Sequence, residues 1–193
     1  SMHLDIPQVT YVKKIEKIAT LPTAELLLAS KSSIITVGNI ESTTSDISVG
    51  ALNSDGTPSW SLNLDSGLDE IAMAATSDSA GNIWLAGFSA TALVEETTTP
   101  TVVAENPDSV LVEPSEAARS DLNRLTIWKV TPSGELEASY YSSENLPGII
   151  TSISASKSGL SILGQYNQKS FIQVMSLSGS FGALAYIGTS KTF

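Results

Sequence analysis

Apolar residues along this chain recur at every second position in short runs, and polar turns of small residues separate the runs. "DISVGAL" alternates Ile47, Val49 and Ala51 on one face with polar or small residues on the other. That period of two is the signature of a half-buried strand. Asn53-Ser54-Asp55-Gly56 follows as a turn, and the Asp-Gly pair supplies the positive φ that a tight hairpin requires. The sequence of strand, turn and strand then repeats. "EIAMAATS" and "NIWLAGF" flank a turn at Asp78 to Gly81, and "RLTIWKV" and "ELEASYY" flank Pro132-Ser133-Gly134. "GIITSISA" and "LSILGQY" flank Lys157-Ser158-Gly159, and "FIQVMSL" and "GALAYIG" flank a turn near Gly179.

Two series of glycines set the phase. "IITVG", "NIWLAG" and "LSILG" end at Gly38, Gly87 and Gly164, at intervals of 49 and 77 residues. Turn glycines Gly56, Gly134 and Gly179 stand 78 and 45 residues apart. Both series give a period in the forties once a block between Gly87 and Gly134 is set aside. A period of that size with short strands points to propeller blades or a β-array. The expected fold is therefore all-β and propeller-type, with about three four-stranded antiparallel blades: about Ala24 to Leu64, Asp69 to Tyr141, and Ile149 to Ile187. An extra N-terminal strand is expected at Val9 to Ile18, where Val9, Thr10, Tyr11 and Val12 favour β. Residues 1–193 then form one unit, a half-propeller or an excerpt of a larger one. Gly38, Gly87 and Gly164 should each mark a bulge or a close backbone approach.

The stretch "SWSLNLDSGLDEIAMAATSDSAGNIWLAGFSA", Ser59 to Ala90, resembles the bacterial β-propeller repeat known as the SBBP repeat. The matching residues are Trp60, Asp69, Asp78, Gly81, Asn82, Ile83, Trp84 and Gly87. Other copies in the chain are weaker: the third group keeps Lys157, Gly159 and Gly164 without the Asp-x-x-Gly-Asn signature. The resemblance implies a propeller in a secreted or surface-attached bacterial protein, and no particular chemistry.

Composition narrows the functions. Serine and threonine make up 49 of 193 residues, and only 16% are charged. This composition leans towards an extracytoplasmic bacterial setting, with any signal or anchor expected upstream of Ser1-Met2, which read as a cloning remnant. No apolar run approaches a membrane span. The net charge is −10, and only Lys13, Lys14 and Lys17 cluster, so no nucleic-acid partner is expected. There is no cysteine, and the single histidine is His3, before the first strand. A Ser-His-Asp triad or a histidine zinc site has nothing to build on. A calcium loop over Ala51 to Leu62 would place Asn53, Asp55 and Gly56 suitably, but both ends of that stretch lack a carboxylate, so no cofactor is expected. Asp55-Gly56 reads as turn chemistry, and Asp78 as an acceptor for its own turn's backbone. Asp69 and Glu70 are adjacent, so they face opposite sides of a strand and cannot form a glycosidase pair by themselves.

Thr91 to Asn123 is the block that the period does not need. Seven acids stand there against Arg119, including Glu95, Glu96, Glu105, Asp108, Glu113 and Glu116, a candidate partner-binding loop. Of the tryptophans, Trp60 and Trp84 are expected to pack between blades, and Trp128 is the candidate aromatic contact. The expectation is a non-catalytic structural or protein-binding module. It would work with a protein partner or by self-association, for which a homodimer of two three-blade arcs is one form. A glycan-binding or glycan-active propeller domain is the alternative.

Overall fold

The computed structural model describes residues 26–41, 44–90 and 121–188. Its strands are β1 (Leu26–Ser30), β2 (Ser33–Glu41), β3 (Ser45–Leu52), β4 (Pro58–Leu64), β5 (Glu70–Ser77), β6 (Ile83–Ala90), β7 (Leu122–Val130), β8 (Leu136–Tyr141), β9 (Gly148–Ser156), β10 (Gly159–Tyr166), β11 (Lys169–Met175) and β12 (Ala185–Tyr186). They form three four-stranded sheets, β1-β2-β3-β4, β5-β6-β7-β8 and β9-β10-β11-β12. Every pairing is antiparallel and joins strands that are neighbours in sequence. The all-β reading and its three groups of four strands hold, with boundaries within a few residues of those expected. No helix among the described residues is long and apolar enough to cross a membrane.

Alternation along the strands decides how the sheets meet. β6 is buried on both faces. Ile83 and Leu85 pack with Ile35, Val37, Ile47 and Val49 of the first sheet. Trp84, Ala86 and Phe88 on the other face pack with Leu160, Ile162 and Phe171 of the third. The middle sheet is thus covered on both sides, and two apolar layers hold the three sheets. β5 also packs against β9 and against β1, β2 and β3.

One turn recurs after β3, β5, β7 and β11. The amides of Asn53, Asp78, Thr131 and Ser176 each donate to the carbonyl four residues on, and Gly56, Gly81, Gly134 and Gly179 donate back, all at 2.8–3.0 Å. These glycines have φ of 90° to 102°, a region that costs a side chain strain. A second use of glycine lies inside the sheets. A Cβ on Gly87 would stand 1.9 Å from the carbonyl oxygen of Ile71, and one on Gly164 would stand 2.3 Å from that of Ile149. Register shifts lie beside both, between Ala72 and Ala74 and between Leu163 and Gly164. These are the close approaches and bulges expected at these positions. At the first bulge, Asn39 reaches across from β2, donating to the carbonyl of Ala72 at 3.1 Å and accepting from its amide at 2.9 Å.

Two expectations need correction. The last strand, expected over "GALAYIG", is only the two-residue β12. Gly182 is drawn to β11 instead, donating to Val174 O at 2.8 Å and accepting from Gln173 Nε2 at 2.8 Å. The block between Gly87 and Gly134 ends earlier than Asn123. Leu122 and Asn123 already belong to β7, where Leu122 pairs with Ala90 and is buried. The N-terminal strand expected at Val9 to Ile18 lies outside the described residues.

Candidate functional site

Asp78 opens the turn between β5 and β6, and its carboxylate is fully engaged. Oδ1 accepts from the amides of Ala80 (3.0 Å) and Asn82 (2.9 Å), and Oδ2 from Asn82 Nδ2 (3.1 Å) and Trp84 Nε1 (2.9 Å). Burial alone would raise this carboxyl's pKa, but the donors, led by Trp84, outweigh it and hold Asp78 below the ordinary value. Lys129 Nζ sits 5.2 Å from the centre of the Trp84 ring and 3.1 Å from Glu137 Oε2. These groups line a groove of about 500 Å³ between the second and third sheets, with Ser77, Ser156 and Lys157 on its walls. The carboxylate and the indole N–H are committed to each other, and the Lys129 ammonium to Glu137 and the Trp84 ring. The Asp78 contacts therefore pin the β5–β6 hairpin.

The opposite end of the sheets carries a second polar centre. The connection from β4 to β5 folds back so that Ser66 donates through its amide (3.2 Å) and its hydroxyl to Glu70 Oε2. Glu70 is 3% exposed, and its Oε1 has no hydrogen-bond partner among the described residues. Burial is the main cause that lifts this carboxyl to about 7; the Ser66 amide pulls it down, and Asp46, Asp65 and Asp69 push it further up. Asp69 points elsewhere, accepting from Ser45 N at 2.8 Å, as expected of adjacent strand positions. Such a carboxyl can hold a proton near neutrality. Among the described residues, no three acidic or histidine side chains gather as a metal site would need.

Five of the six buried side-chain polar atoms without a partner among the described residues lie at this end: Glu70 Oε1, Asn123 Oδ1, Arg124 Nε, Glu144 Oε1 and Tyr166 OH. Burial raises the pKa of Tyr166, and Glu144 and Tyr186 raise it further. The links between sheets and the chain leaving β6 all emerge here. Register also sets Glu70, Ser89 and Arg124 in one row across β5, β6 and β7. Sequence reasoning passed over Arg124, Glu144 and Tyr166 because none sits in a motif. Only the pairing of strands brings them to one end.

Of the expected site residues, Glu95, Glu96, Glu105, Asp108, Glu113 and Glu116 lie outside the described residues. Trp128 is 3% exposed and packs in the layer between the first two sheets, so its ring is not offered to a ligand at the surface. Trp84 is buried between the second and third sheets. Trp60 bridges the first and second sheets: Nε1 donates to Pro132 O at 3.0 Å, and its ring lies where a Cβ on Gly134 would be.

No protein-family model matches this chain, and no curated protein does. Among solved structures, the chain is similar to a protein of unknown function from Bacteroides caccae, at 12% identity and a TM-score of 0.47. The alignment covers 84% of this chain and 45% of that one, so the chain spans less than half of that protein's length.

Proposed function

We propose that this chain is a non-catalytic, propeller-type scaffold or protein-binding module of a bacterial secreted or cell-surface protein, working through a protein partner or through its own copies. The observation that carries this reading is the middle sheet, sealed on both faces by its neighbours in chain order. Blades in a propeller pack in that way. Further support comes from Gly38, Gly87 and Gly164, each on the second strand of its sheet, and from Gly56, Gly134 and Gly179, each in the turn after a third strand. These matched positions are what a repeated blade requires. The high serine and threonine content supports the extracytoplasmic setting. The groove at Asp78 favours a structural role, because the Asp78 carboxylate is spent on its own hairpin and Lys129 on Glu137.

A substrate panel tests the non-catalytic part. Chromogenic glycosides and esters should give no turnover above a heat-denatured control. Turnover that Asp78→Asn or Glu70→Gln abolishes would overturn the reading and favour a glycan-active domain.

A further inference from the structure

Register aligns three cross-strand pairs, each with its second-strand member immediately before the glycine: Val37–Val49, Ala86–Ile127 and Leu163–Ile172. The first two pairs are at most 1% exposed, each lying under the following sheet. The third is 37% and 39% exposed. Ile149 and Val174 extend the same outward face, at 54% and 52%. The other outward positions of β9, β10 and β11 are serine, threonine or glutamine, and residues 149–154, 161–165 and 170–174 contain no Asp, Glu, Lys or Arg. Among the described residues, eight of the twelve exposed large apolar side chains fall within Leu146 to Ile187.

We infer that the outward face of the third sheet docks a second copy of this chain, third sheet against third sheet about a two-fold axis. The inference rests on the scaffold reading above and names its partner. A chain of net charge −10 resists its own copy wherever acidic side chains must meet. This face is uncharged, so two copies approach through it without burying like charges. Two-fold symmetry sets each Leu163–Ile172 pair against its equivalent, and the serines between them let the sheets close to about 10 Å. The outward row Leu27, Thr36, Gly50 and Ser61 of the first sheet has one large apolar member, Leu27, among small or polar ones, which makes that sheet the poorer match. Three strands of this length cover about 14 Å by 25 Å, or about 350 Å², under half of the roughly 800 Å² per partner of a standard interface. The dimer is therefore weak and concentration-dependent.

Sedimentation equilibrium of the full chain, from low micromolar to millimolar concentration, tests it. The expected result is a monomer–dimer equilibrium that Ile172→Lys weakens at least about tenfold while the melting temperature holds. Leu27→Lys, on the first sheet, should leave it unchanged. Should Ile172→Lys fail to fold, Val174→Lys decides in its place. A monomer at every concentration, or a dimer insensitive to these third-sheet changes, overturns the inference. So does a dimer that Leu27→Lys breaks, which would mean third sheet on first. None of these outcomes touches the scaffold reading, which turnover tests.

Discussion

Glu70 gives the chain an unusual dependence on pH. Its carboxyl titrates near 7 in the folded state against an ordinary value of 4.5, so the folded state holds the proton more tightly. The stability it contributes is complete below 4.5 and is lost as pH rises through 7, on the order of 3 kcal/mol from the size of the shift. Asp78 works in the opposite sense. Its folded-state value is lowered, so its contribution is present above the ordinary carboxylate range and is lost on acidification. Urea unfolding between pH 4.5 and 8 should show stability falling as pH rises, and Glu70→Gln should flatten that slope. A slope unchanged in the variant would assign it to other groups. Asp78 was legible in the sequence, because an Asp three residues before a turn glycine accepts from the turn's own amides. The burial of Glu70 was not, because it depends on a linker folding back and on strands that arrive later in the chain. Trp128 shows the same limit. Alternation fixed its face of β7, but not that the first sheet would cover that face.

At the scale of elements, the glycines carry the most specific expectation. Gly87→Ala should destabilise the fold by about 2–3 kcal/mol, because the added methyl meets the Ile71 carbonyl, a backbone atom of β5 that cannot turn aside. Gly67→Ala offers the control. Nothing lies within 4 Å of its Cβ position, and only its φ of +94° opposes the change, at a cost of about 1 kcal/mol. Chemical denaturation of both variants checks the difference, and equal losses would mean that the bulge in β5 yields. The strands and their glycines were legible because β-alternation and turn chemistry are local. The shortness of β12 was not, because Gln173 and Gly182 compete with the strand through contacts that no periodicity records. The start of β7 was missed by two residues for a similar reason: Leu122 follows the polar Arg119-Ser120-Asp121 and becomes a strand residue only by pairing with Ala90.

For the whole molecule, burial ranks the sheets. Amide exchange should be slowest in β6 and β7, which lie inside both apolar layers, and faster in β9 and β11, which have one face open. Hydrogen exchange followed by mass spectrometry reads this order, and uniform protection would deny the middle sheet its central role. The count of three sheets was legible from the sequence, while the order in which they cover one another needed the packing. The pairing of Ala90 with Leu122 has a further consequence. The chain leaves β6 and re-enters β7 at partners about 5 Å apart, so closing this gap costs an entropy that grows only with the logarithm of the length inserted. The position is a natural port for grafting: a foreign domain whose own ends lie close together could be spliced here and displayed on a rigid support.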